Sequence, residues 1–522
     1  MVHTLIAGTF KKPSVRSCRD ASDSGPLRPC DPSALPGGCM VSNSTKRRAF
    51  LQGTASALAV ASLPRWGAAA TAPFIRLEWQ AFKTTPHYAS YLNAVRTMKA
   101  TTDSSKPTSW QYWVKVHNNY CPHSVAYFLA WHRGYLYYLE QQIRAVSGDA
   151  TFTMPYWDYY TYPVIPSEFT DTAQGNPLYV SRVNTNVYQA LDLGPFASNV
   201  YNFQRGTNNA FEPKLENAPH NPVHDIIGNY MADIATAPID PIFYLHHCNI
   251  DRLWNAWSLR LSSRVPGATS SYWNGSFTYA SGLTIAKSKT RTTTGLNYDY
   301  ANDTPPAVLP RQAQEGRIIR VQAQIATIQG RPQTGSFTAS PGRIVSSTRR
   351  ALGGVRGMAL GEASVSARIA LQAANATALK DVLTTSPAAA ASQSADASQA
   401  APQARSSYQY VKIVLDGVSM PPAAKKGGFF YNVYLNLPAS GDVDAVRSQH
   451  FIGTLGAFQI STAGHHGMNM IDYDVTDVLG RLGIADTNDV VISFVRVSAP
   501  NFPRGTAVSI NEARLELGAD AP

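Results

Sequence analysis

Histidine is the residue whose spacing stands out in this chain. Seven of its 12 histidines fall in two short stretches, which hold His117, His123 and His132 and then His220, His224, His246 and His247. Neutral imidazole is a good copper ligand, and three imidazoles per metal leave a coordination position open for catalysis. Two such sites facing each other suit the activation of dioxygen. The sequence therefore predicts a pair of copper ions, with dioxygen as co-substrate.

Zinc chemistry is the main alternative for these histidines. His220 and His224 are four residues apart and would share one face of a helix. Asn221 follows His220, however, so the His-Glu-x-x-His pattern of a zinc protease is absent. A structural zinc protein is disfavoured because the candidate metal donors are six clustered histidines and not a quartet of cysteines.

The elements that must hold these side chains are predicted to be helices. Apolar residues recur at helical spacing over 92–98, 109–117, 128–143 and 242–261. Pro219 and Pro222 bracket the start of a further helix, which carries His220 and His224. We therefore expect residues 73–304 to form a mainly α catalytic domain, a helix bundle that holds a dicopper centre.

The rest of the chain differs in composition and periodicity. Residues 305–405 contain Arg-rich and Gly-rich pieces and then a stretch of Ala, Ser and Gln, which predicts a flexible linker with a helix at 365–383. Alternating apolar residues predict strands at 408–415, 429–437, 451–460, 490–497 and 507–517. Residues 406–522 should thus form a C-terminal antiparallel β-sandwich.

Charge and composition narrow the class of protein. Hydrophobic residues make up 44% of the chain and charged residues 15%, as in a globular protein of two or three domains. Residues 1–72 supply +6 of the net charge of +11, which leaves +5 for the rest. We find no basic stripe with interleaved aromatic residues, so nucleic acid is not an expected partner.

Residues 1–72 are typical of an export leader. Lys46-Arg47-Arg48 and the following Ala49-Phe50-Leu51 resemble the twin-arginine consensus. A short apolar run and the small-residue site Ala70-Thr71-Ala72 follow. The apolar run is too short to span a membrane. We expect translation to start at Met40 and the mature protein to be periplasmic or secreted from a bacterium.

Two motifs of this chain resemble those of the tyrosinase and polyphenol oxidase family, the type-3 copper proteins. The first runs His123-x4-Phe128-Leu-x-Trp131-His132-Arg133-x2-Leu136-x3-Glu140. The second runs Asp240-Pro241-x-Phe243-Tyr244-Leu-His-His247-x3-Asp251. Segments 109–121, 272–279 and 298–300 are similar to those of plant members, and 406–522 is similar to their C-terminal domain more loosely.

The resemblance implies how the metals are held. One copper ion would be bound by His117, His123 and His132, and the other by His220, His224 and His247. His246 would then either support a metal ligand from behind or be a packing residue. Cys121 would form a thioether with His123 and so fix its imidazole, whereas Cys248 is expected to be a small packed residue. Asp251, one turn beyond His247, would support the site from behind the ligands.

The same resemblance implies an enzyme that hydroxylates monophenols in the ortho position and oxidises o-diphenols to o-quinones. Glu216 and Asn221 match the family's residues that hold a water for removing the phenol proton. Asp225 is expected to place negative charge near the entrance and favour amine-bearing phenols such as tyramine. Ile234 matches a bulky residue over the second copper. The C-terminal domain is expected to cover the site, with 305–405 as the cleavage region that relieves latency.

Two rival functions share the copper pair. A catechol oxidase would lack the hydroxylation of monophenols. An oxygen carrier of the hemocyanin type would bind dioxygen without turnover, although one catalytic domain with its own export signal argues against a carrier built of many units. His465 and His466 lie in a Gly-rich turn and are predicted to be surface residues.

Overall fold

The computed structural model of the chain describes residues 74–310, 332, 334–385, 407–438, 443–483 and 488–519. All of these belong to the compact unit Ala70–Pro522. The predicted twin-arginine leader, its start at Met40 and its cleavage site lie outside the described residues. Within them, no helix has both the length and the apolar character needed to cross a bilayer.

The first part of the described chain is mainly helical. Its α-helices are α1 (Trp79–Phe82), α2 (His87–Ala100), α3 (Trp110–Tyr120), α4 (Phe128–Ser147), α5 (Ser167–Thr170), α6 (Phe211–Leu215), α7 (Asn221–Ile227) and α8 (Ile242–Ser258). A π-helical segment, Glu216–His220, joins α6 to α7. Short 3-10 helices lie at Tyr188–Ala190, Gly194–Phe196, Asn229–Ala232, Ala237–Ile239, Ser271–Trp273, Lys287–Arg291 and Thr294–Leu296.

Two small sheets close this helical part. Strand β1 (Phe74–Arg76) pairs in parallel with β4 (Tyr298–Tyr300), and β2 (Ser276–Ala280) pairs antiparallel with β3 (Leu283–Ala286). Helix α8 is the central element, because every residue from Ile242 to Trp257 is buried. A helix that is covered on all sides belongs to the core of a large domain. The four long predicted helices are confirmed.

The second part consists of two antiparallel sheets. Its strands are β5 (Thr338–Ser346), β6 (Arg349–Leu360), β7 (Val365–Ala370), β8 (Tyr410–Asp416), β9 (Phe429–Leu435), β10 (Phe451–Gly456), β11 (Met470–Asp474), β12 (Asp489–Ser498) and β13 (Val508–Gly518). Their order is β11-β8-β13-β6-β5 in one sheet and β10-β9-β12-β7 in the other. Both sheets contribute to one apolar core, so the predicted antiparallel C-terminal fold is confirmed.

Helices α9 (Ala373–Thr385), α10 (Val443–His450), α11 (Ala457–His465) and α12 (Thr476–Arg481) accompany these sheets. Residues 338–385 therefore belong to the β-rich part, and the prediction of a flexible linker is wrong there. The predicted helix at 365–383 is strand β7 followed by α9. Strands β5 and β6 were not predicted because their sequence is rich in Gly and Arg. The two strands pair with each other, and β6 also pairs with β13, which is distant in sequence, so their stability comes from these pairings.

The predicted strand 451–460 is correct only as far as Gly456, where α11 begins. The cause is a contact that local sequence does not contain. The N–H group of Phe458, in the first turn of α11, donates to the carboxylate of Asp225 on α7 at 2.8 Å. An acceptor at that position satisfies one of the free N–H groups of a helix start. The helical part of the chain therefore helps to fold this segment as a helix.

Candidate metal centre

The first histidine cluster joins two helices and the turn between them. His117 lies on α3, His132 lies on α4, and His123 lies in the turn. The Nε2 atoms of His123 and His132 are each 3.4 Å from Nε2 of His117. Two nitrogen ligands at about 2.0 Å from one tetrahedral metal ion are roughly 3.3 Å apart. The spacing therefore fits a metal ion shared by all three imidazoles.

The second cluster lies between α7 and α8. His220 directly precedes α7 and His224 lies in its last turn, with ring centroids 4.7 Å apart. Nε2 of His220 is 3.4 Å from Nε2 of His247. His246 belongs to the same group of four buried imidazoles, whose candidate ligand atoms lie within 4.8 Å of one another. Its ring stacks on that of His220 at 5.2 Å. The Nε2 contact supports His247 as the ligand, and this choice stays a prediction.

The two clusters face each other directly. The rings of His132 and His247 stack with centroids 4.5 Å apart and planes inclined by 12°. Two phenylalanines from the sequence motifs line the space between the two clusters. Phe128 packs edge-on against His220 at 4.7 Å, and Phe243 packs against His247 at 4.2 Å.

Burial keeps these imidazoles neutral. It is the main cause of the lowered pKa of all six predicted ligands, and for His132 the pKa falls to about 4. Three of them are oriented through Nδ1 by an oxygen partner, namely His132 by Phe128 O, His224 by Met231 O and His220 by Asn221 Oδ1. A neutral imidazole that donates through Nδ1 presents the Nε2 lone pair to a metal. The residues present therefore fit two copper ions.

Glu216 approaches the first cluster rather than the second. The backbone departs from helical geometry at Ala218, between Glu216 and His220. One oxygen of the Glu216 carboxylate accepts the N–H of Ser124 at 2.6 Å and lies 3.5 Å from Nδ1 of His123. The other oxygen pairs with the guanidinium of Arg205. Asn221, the second predicted water-holding residue, contacts His220 instead.

Arg205 has no motif around it that would have marked it in the sequence. It lies in a loop before α6, and it pairs with Glu216 because the fold brings this loop beside that carboxylate. Its backbone N–H also lies within 3.5 Å of the carboxylate of Glu212. Burial is the main cause of the raised pKa of Glu212, about 7, and the charge of Arg205 opposes the rise.

Asp251 contacts several elements behind the histidine clusters, and its role in supporting the metal ligands stays a prediction. Its carboxylate accepts from Arg133, the neighbour of His132, at 2.6 Å and from the hydroxyl of Tyr300 at 2.6 Å. The guanidinium of Arg133 also stacks on the ring of Trp254 at 3.5 Å. A buried arginine with a carboxylate partner on a neighbouring helix fixes the relative position of α4 and α8.

Comparison with known proteins finds a similar domain. The model of the "common central domain of tyrosinase" matches residues 107–190 and 166–260, which carry both clusters. Residues 107–260 of this chain are therefore similar to the central domain of the tyrosinase family. That family consists of type-3 dicopper enzymes, and the two histidine clusters in this region suit two copper ions.

Several relatives of the family are similar to this chain. Tyrosinase HcTyr1 of Hahella sp. (strain CCB-MM4) is 31% identical, with 32% of this chain and 50% of that protein covered. Polyphenol oxidase E, chloroplastic, of Solanum lycopersicum is 32% identical, with 25% of this chain and 30% of that protein covered. The chain thus spans half or less of the length of these curated relatives. A solved latent aurone synthase (polyphenol oxidase) is 17% identical with a TM-score of 0.47, over 86% of this chain and 91% of that one.

The β-rich part covers the second histidine cluster of this chain. The ring of Phe458, on α11, stacks on His224 with centroids 3.9 Å apart and planes inclined by 19°. It also contacts His123 and His220 edge-on, at 5.5 Å in each case. Phe458 could not be predicted from the sequence, because nothing local distinguishes it from other apolar residues of its predicted strand.

Asp225 lies under this cover and not at an open entrance. It is fully buried, and its carboxylate accepts the N–H of Phe458. Gly456 packs so closely on it that a Cβ there would come within 1.9 Å of the carboxylate. Burial raises the pKa of Asp225 to about 8, so its carboxyl is mostly neutral at pH 7. The predicted entrance charge is therefore wrong for the covered chain.

The remaining predicted residues are buried beside the site. Ile234 donates its backbone N–H to Ser461 on α11 at 3.0 Å, and its contact with substrate stays a prediction. Cys121 is a free, buried thiol whose pKa is raised by burial. The thioether between Cys121 and His123 also stays a prediction. Cys248 is fully buried and free, as expected of a packed residue.

Proposed function

We propose that this protein hydroxylates monophenols in the ortho position and oxidises o-diphenols to o-quinones with dioxygen. The balanced reactions are monophenol plus dioxygen to o-quinone plus water, and two o-diphenols plus dioxygen to two o-quinones plus two waters. The observation that carries the proposal is the pair of facing clusters of neutral imidazoles with the Glu216 carboxylate beside His123.

The bound copper pair would supply the activation of dioxygen, held by His117, His123 and His132 and by His220, His224 and His247. The chain's own residues do the rest. The imidazoles are committed to the metals, so a separate group must take the phenol proton. In this proposal Glu216 is that group and takes the proton through a water beside His123. The proposal is supported by the position of its carboxylate, whose two oxygens are held by Ser124 and Arg205. Phe128 and Phe243 exclude bulk water from the space between the clusters.

One observation favours a second candidate, a catechol oxidase. The Glu216 carboxylate is already engaged through both oxygens, one by the N–H of Ser124 and the other by Arg205. A carboxylate held in this way is less available to a phenol proton, which hinders a monophenol more than a catechol because the monophenol must be deprotonated and bound before it is hydroxylated. An oxygen carrier of the hemocyanin type remains the alternative outside this class.

Oxygen uptake separates these candidates. Copper-loaded protein, intact and after limited proteolysis, is given tyramine and then a catechol, and quinone colour is recorded in parallel. Uptake with both substrates supports the proposed activity. Uptake with the catechol alone identifies a catechol oxidase. No uptake by the cleaved, fully copper-loaded chain overturns both enzymatic functions and favours the carrier.

We also propose that the β-rich part keeps the intact chain latent. Phe458 occupies the face of His224 that a phenol would need, and further bonds fix the cover. Thr454 donates to the carbonyl of Asn217, and Arg447 pairs with Asp192. Because strands β5 to β7 belong to the cover, a cut that releases it must precede Thr338. Cleavage there without a gain in catechol oxidation contradicts latency.

The thioether between Cys121 and His123 is proposed on the resemblance alone. Cys121 precedes His123 by two residues in the turn that brings His123 to the first cluster. Alkylation of the denatured, copper-free protein should modify Cys248 and leave Cys121 unmodified. Alkylation of Cys121 refutes the bond.

Export by the twin-arginine route is likewise a proposal. This route carries folded proteins, which suits a metal bound before transport. Replacement of Arg47 and Arg48 by lysine should retain the protein in the cytoplasm, as fractionation followed by immunoblotting would show. Unchanged export of the variant rejects the route.

A further inference from the structure

The end of helix α11 presents two histidines and a methionine on a rigid turn. His465, His466 and Met468 are exposed and lie within four residues. The N–H of Met468 donates to the carbonyl of Ala463 at 2.9 Å, and the N–H of Gly467 donates to that of Gly464 at 3.0 Å. Gly467 has φ of 71°, so this is a complete Schellman turn, which requires a left-handed residue at that point. The three side chains therefore leave a fixed backbone.

His465 is oriented in the same manner as the ligands of the buried centre. Its Nε2–H donates to the backbone carbonyl of Asn118 at 2.6 Å, which leaves the Nδ1 lone pair free. Histidines that bind metals usually donate the other ring N–H to a carbonyl or carboxylate. His132 and His224 also donate to a backbone carbonyl, but through Nδ1, so that Nε2 is the nitrogen left for a metal. A hydrogen bond of this kind is not needed by a histidine that merely faces solvent.

This turn lies beside the first histidine cluster. Asn118, which holds His465, directly follows the predicted ligand His117 in the chain. Burial is the main cause of the lowered pKa of His123, and repulsion from His466 and His465 adds to it. The exposed imidazoles are thus electrostatic neighbours of a buried one.

We propose that His465, His466 and Met468 form a surface site for Cu(I) from which the buried clusters are loaded. Imidazole and thioether together suit Cu(I), since soft ligands select that ion. Met470, two residues further on, is engaged elsewhere, because its sulfur lies 3.5 Å from the guanidinium of Arg349. Three residues therefore make up the proposed donor set.

The fold explains why a surface site would help. The six predicted ligands are at most 2% exposed, so copper cannot reach them from solvent without a movement of the cover. Helix α11 carries Phe458 in its first turn and His465 in its last. A displacement of this one helix would uncover His224 and release His465 from Asn118 together. Copper held at the turn would then lie next to the opened path.

Copper binding by the loaded protein tests the site itself. Intact protein with both buried positions filled is freed of excess metal and titrated anaerobically with Cu(I) against a coloured chelator. We expect one further equivalent of Cu(I), bound at least about tenfold more weakly by His466→Ala and by Met468→Leu. These variants leave the bond between His465 and Asn118 intact. His87→Ala, which removes another partly exposed histidine, is the control.

The rate of loading tests the role of the site. Copper-free protein is mixed with limiting Cu(I), and protein-bound copper is counted over time. We expect His466→Ala and Met468→Leu to take up copper about fivefold more slowly and to reach the same final content and activity. No additional equivalent, or one that the variants bind as tightly, overturns the site. Binding with unchanged uptake rates overturns its loading role.

Discussion

The ring of Phe458 lies flat on the imidazole of His224, with centroids 3.9 Å apart. The two residues come from different parts of the fold, so this one contact couples the β-rich part to the second cluster. A phenol that approaches His224 must displace the phenyl ring. Latency is therefore proposed to reside in this ring and in the bonds that hold its helix.

Removing the ring should activate the intact chain. A stacked aromatic pair contributes about 1 kcal/mol beyond its buried area, which corresponds to roughly fivefold in a rate or population. We expect Phe458→Ala to oxidise a catechol at least about fivefold faster than the unaltered intact protein, as measured by initial oxygen uptake. Phe502→Ala, at the partly buried edge of the β-rich core, is the control and should change nothing. Equal rates for all three proteins would refute obstruction by Phe458.

Asp225 should act as the latch of the same helix. Loss of a helix-capping acceptor costs about 1 kcal/mol, so Asp225→Ala should raise the activity of the intact chain about fivefold. Asp225→Asn keeps an oxygen that can accept the N–H of Phe458 and should stay latent. Oxygen uptake with a catechol measures both, and copper content must match because His224 is adjacent. Activation by both variants, or by neither, rejects the latch.

Sequence reasoning succeeded where a pattern was local. The long helices α3, α4 and α8 follow from their apolar spacing, and the histidine clusters follow from their motifs. It failed for β5 and β6, whose stability comes from pairing between residues far apart in sequence. It also placed the end of β10 too late, because the first turn of α11 is stabilised by Asp225 from the helical part of the chain.

In the candidate site, too, local patterns could be predicted and contacts between residues far apart in sequence could not. The two histidine clusters could be predicted because their histidines lie within short motifs. Arg205 and Phe458 could not, since each acts through a partner that the fold brings near, Glu216 in one case and His224 in the other. Asp225 was correctly placed beside a ligand, but its burial depends on a segment more than two hundred residues away in the chain.

The copper content of variants should show which of the neighbours His246 and His247 is a metal ligand. Nε2 of His247 meets that of His220 at 3.4 Å, whereas His246 stacks face-on against the His220 ring. We expect His247→Ala to retain about one copper ion per chain and His246→Ala to retain two, by elemental analysis after loading. The two variants serve as controls for each other because both remove a fully buried imidazole of α8. If His246→Ala retained about one copper ion and His247→Ala retained two, His246 would be the ligand and His247 the packing residue.

Glu512, in the β-rich part, should stabilise the fold by an amount that decreases as the pH is lowered. Hydrogen bonds from Arg343 are the main cause of its lowered pKa, about 2, and Ser340 adds to them against the effect of burial. A lowered carboxyl pKa stabilises the fold above the unfolded value of about 4.3, and this gain is lost as the pH falls towards 2. Glu512→Gln should therefore lower the free energy of unfolding by about 1–2 kcal/mol at pH 7.

The difference between Glu512→Gln and the unaltered chain should shrink steadily between pH 4 and pH 2, as urea unfolding would show. Glu362→Gln is the control, because Glu362 pairs with Arg504 at the surface and exposed pairs contribute little. A difference that does not depend on pH would mean that Glu512 stabilises the sheet by packing and not by charge.

Glu216 should matter more for monophenols than for catechols. A positioned general base contributes about a hundredfold or more to a step that needs it. We expect Glu216→Gln to slow oxygen uptake with tyramine about a hundredfold and with a catechol less than tenfold, in protein relieved of its cover and matched for copper. Glu212→Gln, one turn earlier and also near Arg205, is the control and should slow both substrates equally. An equal loss on both substrates in Glu216→Gln would show that Glu216 supports His123 and does not take the phenol proton.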